Sequence, residues 1–366
     1  MNNHSSSVRK WTLFLLISSS LSFQTAQAHN DLTVVDWGGD LARAHMQAWI
    51  IPWENDNNKE ASLVYYGGGI DEIRDQVNTT NVTWDVVDME YSDLIQACNE
   101  GLLEKIDHAN YPNSPGDFID GALASDCGVG VYVWSTVYAY HTGAFEGASP
   151  TTIADFFDTA TFPGKRGLRR DPRGTLEWAL ISAGVAPGNV YSTLATEEGL
   201  DQAFDELDRI KASIVWWSGG AEPAALLESG EVTMSAAWNG RLFRPMTEQN
   251  APIDIVWDGQ VWEIEFLAIL KGSRNLVDAQ HFVRYASSTE SLAAVAEHIP
   301  YGPVRKTAQT RVKSNIKPHL PTENISDTSL RFDSPWWAAN IDRVRARFEA
   351  WIAPSSADIE GRGARF

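Results

Sequence analysis

A chain of 366 residues with 43% apolar side chains is long enough to fold as two lobes, each with its own core. Forty-eight acids against 29 bases, a net charge of −19, give a surface that repels phosphate backbones and exclude nucleic acid as a partner. The eight histidines are scattered, and Gly-x-Ser-x-Gly, His-Glu-x-x-His, P-loop and Gly-x-Gly-x-x-Gly signatures are missing, so no cofactor or metal is expected.

The first 28 residues read as a secretory signal. Arg9 and Lys10 form a positive start, Trp11 to Phe23 an apolar, Ser-rich middle, and Ala26-Gln27-Ala28 a small-residue cleavage site, with cutting expected after Ala28. No lipobox cysteine stands near the cut and no later run has eighteen apolar residues, so a free periplasmic protein is expected rather than a lipid-anchored one. Removal of the signal leaves the mature chain at about −21. Cys98 and Cys127 are the only cysteines; an even pair in an oxidising compartment predicts a disulfide rather than two free thiols.

In chain order, Leu32 to Trp37 reads as a buried strand ending at Gly38-Gly39, followed by a helix from Asp40 to Trp53. Ser62 to Gly69 repeats the strand and glycine turn, with a helix beginning at Ile70. Val82 to Glu90 is a third strand and Tyr91 to Gly101 its helix. This alternation predicts a mainly parallel sheet flanked by helices, with ligands beyond the carboxyl ends of the strands. Cys127 to His141 is a long β-rich run with no turn signal, and Val261 to Leu270 is a second. Two such runs predict two hinge crossings between lobes. The expected divisions are 29–137 with 264–306 for lobe 1, 138–263 with 307–353 for lobe 2, and a disordered tail over 354–366 that contains Ile-Glu-Gly-Arg. Inside lobe 2, Thr151 or Thr152 caps a helix, Thr175 to Gly184 and Leu200 to Ala212 are helical, and Trp336 to Trp351 is the last amphipathic helix.

The richest stretch runs from Trp216 to Glu265. It carries Trp216, Trp217, Trp238, Trp257 and Trp262 with Arg241, Glu263 and Glu265, broken by Asn239-Gly240 and Asp258-Gly259, which read as turns. Indole faces beside fixed charges suit a small, charged, partly apolar ligand. Taken singly, each tryptophan is better explained by the core; their clustering with charges and turns favours a site. Adjacent Tyr65-Tyr66 could suggest a ferric site, but tyrosines beside a glycine turn are more often structural.

The pieces VVDWGGDLA (from Val34), WDVVDMEYSDLIQACNEGLLEKID (from Trp84), WNGRLF (from Trp238), PIDIVWDGQVWEIEFLAIL (from Pro252) and IPYGPV (from Ile299) resemble periplasmic solute-binding proteins of ABC importers, in particular the spermidine/putrescine-binding family. The resemblance covers most of the mature chain. It implies an α/β two-lobed fold, an inner-membrane ABC permease as partner, a monomer, and no catalysis. By residue, it implies that Trp37, Tyr91, Trp238 and Tyr301 wall the ligand, with Trp216 or Trp217 adding another face, and that Asp171 and Glu265 hold amines. Three positions depart from the pattern. Gly174 stands for a second acid, Glu263 for an aromatic, and Arg241 for Ser or Asp. A buried arginine needs a carboxylate, from Glu263, from Glu265 or from the ligand. The expected ligand is a small amine such as a polyamine; an amino acid, betaine or small carboxylate gripped by Arg241 is the alternative, and an exported enzyme a remote one.

Overall fold

The computed structural model describes residues 31–111 and 116–353, so the signal segment and the tail after 353 lie outside the described residues. Two strands organise everything else. β4 (Gly128–His141) and β8 (Ile253–Ile269) run antiparallel, side by side. Each is long enough, at ~3.3 Å per residue, to reach from one lobe well into the other. Nearly every residue of β4 is buried, which explains its unbroken apolar sequence: both faces are covered along its whole length.

The half of the sheet beside the carboxyl end of β8 carries β1 (Leu32–Asp36), β2 (Ala61–Tyr65) and β3 (Val86–Glu90). β1 lies between β2 and β3 with both pairings parallel, and β3 closes antiparallel on β8. The other half carries β5 (Arg166–Arg169), β6 (Ile214–Trp217) and β7 (Met234–Trp238). β5 is parallel to β6 and β7, and β7 closes antiparallel on β4. Short strands β9 (Gly302–Pro303) and β10 (Leu330–Arg331) add to β4 and β8. The result is one continuous sheet, in the order β2-β1-β3-β8-β4-β7-β5-β6, whose two wings form the two lobes.

The expected strand–helix alternation is present, with three departures. Asp258-Gly259 is not a turn between strands but a bulge inside β8, where the register against β4 slips between Thr136/Val261 and Tyr138/Val256. Gly259 is at φ 69°, and a Cβ there would lie 2.7 Å from Ile153, so the bulge needs glycine. Asp258 anchors it by accepting from the Ile153 amide and the Thr328 hydroxyl, both at 2.8 Å. The return crossing therefore begins at Ile253, earlier than the apolar run suggests. Asn239-Gly240 is also not a turn; it opens the helix Asn239–Thr247 directly after β7. The helix after β1 starts at Gly39 and runs to Asn57 through a π-helical segment at Met46–Ile50.

Cys98 and Cys127 form the disulfide. It ties the helix Tyr91–Asn99 to the residue that enters β4. Thr152 caps its helix with a reciprocal Asp155 contact, as the sequence suggests. The final helix spans Ser334–Ile352, capped by Asp333 accepting from the Trp336 amide.

Candidate functional site

The floor of the site is a patch of the two crossing strands. Tyr132 faces Glu265, Trp134 faces Glu263 and Thr136 faces Val261 across the ladder. Residues two apart on a strand share a face, so Glu263 and Glu265 project to the same side as Tyr132, Trp134 and Thr136. The carboxyl ends of β1, β3, β5 and β7 converge on this patch and deliver Trp37, Glu90, Arg169 and Trp238. Two cavities result. One is walled by Trp37, Tyr132, Trp134, Trp238, Arg241, Glu265 and Tyr301; the other by Thr136, Arg169, Arg173, Gly174, Trp217 and Glu263, among others. They adjoin, since Glu90, Trp134 and Trp238 border both. Each has only about 20 Å3 of space open to water, on the order of one molecule, so the lobes as they stand leave no room for a ligand of several atoms.

Glu265 is almost fully buried and its two oxygens are held by indole N–H groups. Trp37 donates to one at 2.8 Å and Trp134 to the other at 2.5 Å. Burial first, then the neighbouring Asp88, Glu90 and Glu263, push its carboxyl well above the ordinary range. An ammonium placed beside it would reverse that cost. Glu90, the last residue of β3, is paired with Arg169 at 2.9 Å and closely with Arg173. Arg173 also meets Asp93 at 3.2 Å and Asp171 at 2.9 Å. The pairs that Glu90 and Asp93 make with Arg169 and Arg173 join the two wings across the cleft.

Trp238 is the hub of an aromatic box. Its ring meets Trp37, Trp134 and Trp217 edge-on at 5.9, 6.0 and 5.6 Å. Arg169 and Arg241 lie over it at 5.1 and 5.6 Å, a cation–π environment that also suits a ligand cation.

Arg241 is the most informative residue. It is 3% exposed and sits in the first turn of the helix Asn239–Thr247, where the helix dipole disfavours a cation. Its guanidinium donates to the carbonyls of Gly38 and, at 3.4 Å, Trp37 across the cleft, while its Nε has no partner. Gly39 permits the approach: at φ 61°, a Cβ there would stand 2.9 Å from the Arg241 Nη1. Among the described residues no carboxylate lies within ion-pair distance of Arg241. Neither Glu263 nor Glu265 neutralises it.

Of the residues expected at the site, Trp37, Trp217, Trp238, Arg241, Glu263, Glu265 and Tyr301 border the two cavities. Trp216, the other candidate wall, packs edge-on against Phe348 and Trp351 in the neighbouring core. Tyr91 does not join them. It stacks on Phe266 at 4.5 Å, and Phe266 alternates with Glu265 and so faces away from the cavities. The residue that reaches the cleft from the end of β3 is Glu90, one position earlier. Asp171 is close by but turned aside, accepting from the Arg173 amide and guanidinium. Although burial opposes its charge, Arg173 and Arg169 outweigh it and hold the carboxyl well below the usual range, so it braces Arg173 rather than lining a cavity.

Glu90, Tyr132, Trp134, Arg169 and Arg173 are the participants that sequence reasoning missed. The alternation Tyr132, Trp134, Thr136 within an otherwise aliphatic run was a visible signal for one strand face. The arginine-rich LRRDPRG after a short strand (Leu168 to Gly174) was another.

Two lobes sharing one sheet, hinged on paired crossing strands and closing aromatic and charged side chains around a buried cavity, define a two-lobed solute-binding protein. The chain belongs to the bacterial extracellular solute-binding protein family, whose model matches residues 54–322, and it is an ABC-transporter substrate-binding protein. It is 38% identical over 330 residues to the gamma-aminobutyric acid-binding protein of Pseudomonas aeruginosa, covering 90% of this chain and 93% of that one. A solved GABA receptor is 30% identical, with a TM-score of 0.78 over 89% of this chain and 98% of its own. The agropinic acid complex of AgtB from Agrobacterium tumefaciens R10 is 27% identical, with a TM-score of 0.78 over 88% and 98%. The broader expectation of an importer's binding protein therefore holds, but these relatives carry names of GABA and agropinic acid rather than of a polyamine. The family lies outside the cytoplasm, and no helix among the described residues is long and apolar enough to cross a membrane.

Proposed function

We propose that this protein is a periplasmic receptor for a small ω-amino acid of the GABA class, held between the lobes and handed as a monomer to an inner-membrane ABC permease. One observation carries the reading: Arg241 is a buried cation with no carboxylate partner among the described residues, in the same cavity as the indole-held acid Glu265. A ligand carboxylate supplies the missing anion through charge-assisted hydrogen bonds from the guanidinium. Its ammonium goes to Glu265, with Trp37, Trp134 and Trp238 around the methylenes. The GABA-binding relatives support the same choice. A pure polyamine would leave Arg241 unneutralised beside a second cation, which places that reading behind.

The test is calorimetry and thermal shift on the protein lacking residues 1–28, titrated with β-alanine, GABA, 5-aminovalerate, putrescine and spermidine. A ligand that binds only the folded state stabilises it by ~2.7 kcal/mol at a hundredfold excess over Kd. The expected result is heat and a melting shift with an ω-amino acid. Binding of putrescine or spermidine with no response to any ω-amino acid would overturn the proposal.

A further inference from the structure

Beyond the cavity that holds Arg241 and Glu265 lies a carboxylate that the ω-amino acid does not use. Glu263 is 5% exposed, its Oε2 has no hydrogen-bond partner, and no cation among the described residues is within ion-pair distance of it. An unmatched carboxylate is expensive to bury. Burial first, then Glu90, drive its carboxyl well above the ordinary range, against the opposing pull of Arg173. Apolar replacement would avoid that cost, so the position calls for a reason.

Geometry supplies one. On its outer edge, β8 pairs with β10 at Val261 and Trp262 and with β3 from Glu265 onward. Glu263 and Ile264 fall in the gap between those partners. A groove of about 680 Å3 enters there, bordered by Tyr91, Tyr191, Ile264, Phe266, Leu330 and Phe332, and Glu263 borders it as well as the adjoining cavity. Glu263 thus stands where an outside groove meets the buried site, two residues along the same strand face from Glu265. That places the two carboxylates' Cα atoms roughly 6–7 Å apart.

We infer that Glu263 is a second cation subsite, in line with the first, and that the protein accepts ω-amino acids whose nitrogen carries a further aminoalkyl arm. The inference rests on the ω-amino acid reading for its first two contacts. The carboxylate lies on Arg241, the secondary ammonium on Glu265, and the terminal ammonium on Glu263, with the groove taking any remaining length. An N–N span across four methylenes is roughly 6 Å on standard bond lengths, which matches the step between the two acids. The same ladder explains why the sequence resembles polyamine binders while carrying an arginine that polyamines do not need.

The probe is N-(3-carboxypropyl)putrescine, compared with GABA by calorimetry on wild type, E263Q and E263L. In wild type the extended ligand binds at least ~10-fold tighter than GABA. Both variants abolish that advantage, weakening the extended ligand at least ~10-fold more than they weaken GABA, and each still unfolds cooperatively in a thermal melt, which shows that it folds. Equal or weaker binding of the extended ligand in wild type would overturn the subsite. So would an equal loss for both ligands in E263Q and E263L. If the extended ligand binds in a Glu263-dependent way and GABA does not bind at all, the subsite stands and the GABA-class reading falls. If GABA binds and the arm adds nothing, the reverse holds.

Discussion

Replacing Arg241 by serine separates the two ligand chemistries. In the ω-amino acid complex, Arg241 grips the ligand carboxylate with two parallel charge-assisted hydrogen bonds. Each such bond is worth ~1.5–3 kcal/mol, and truncating one side of a buried, hydrogen-bonded charge pair costs about 2–5 kcal/mol. A further loss comes from its donations to the Gly38 and Trp37 carbonyls, which help hold the wings together. The expected weakening of GABA is therefore roughly 30- to 4,000-fold in Kd, taking ~1.4 kcal/mol per decade. R241K, which keeps charge but loses the planar fork, should fall between. For putrescine the sign reverses: removing a buried cation from the cavity leaves affinity unchanged or improves it. The assay is isothermal calorimetry of wild type, R241K and R241S with both ligands. GABA bound by R241S within about threefold of wild type would refute the placement of the carboxylate.

Three other outcomes follow from the same structure. W238A should weaken ligand binding by about 1–3 kcal/mol, through lost ring area and any cation–π contribution of ~0.5–2 kcal/mol, and should shrink the change in tryptophan fluorescence on titration; unchanged affinity would mean that the cleft lies elsewhere. Denatured, unreduced protein should show no free thiol, and reduction of the Cys98–Cys127 bond, which spans a sequence separation of 29, should cost ~3–4 kcal/mol of stability by loop-closure entropy; an unshifted melting curve would refute this. Burial lifts the Glu177 carboxyl from 4.5 to about 7, despite donations from the Trp337 indole and the Tyr191 hydroxyl. Because the folded state holds that proton more tightly than the unfolded one, its contribution is complete below about 4.5 and is lost as pH rises to about 7. E177Q, which keeps an oxygen to accept both bonds, should flatten the urea-denaturation stability profile in that window and gain up to ~3 kcal/mol above it; a pH dependence identical to wild type would count against the assignment.

Much of the architecture was legible without coordinates because it depends on local signals. Strand–glycine–helix alternation predicts β1 to β3 and their helices, and two long turnless β runs predict the hinge. The cysteine pair in an exported chain predicts the disulfide. Local chemistry also flagged Trp37, Trp238, Arg241 and Glu265, since an indole or a charge at the end of an apolar strand has few purely structural uses. Where the reading failed, the missing information was register. Tyr91 and Glu90 are neighbours in sequence, yet Glu90 ends β3 toward the cleft while Tyr91 opens the next helix and stacks on Phe266, on the far face of β8. Asp258-Gly259 has turn composition, yet pairing with β4 on both sides absorbs it as a bulge, a choice made by a strand more than a hundred residues away.

The sequence by itself therefore determined the kind of protein: two α/β lobes on crossing strands, with aromatic and charged residues at strand ends. Tertiary structure alone decided the charge balance of the site. Whether Arg241 is neutralised depends on which acids come within ~4 Å of it, and only the folded chain shows Glu265 committed to Trp37 and Trp134, Glu90 committed to Arg169 and Arg173, and Glu263 unmatched at the mouth of a groove. Electrostatic pairing is a matter of distance through space, which linear order does not encode, so the sign of the ligand waits on the fold.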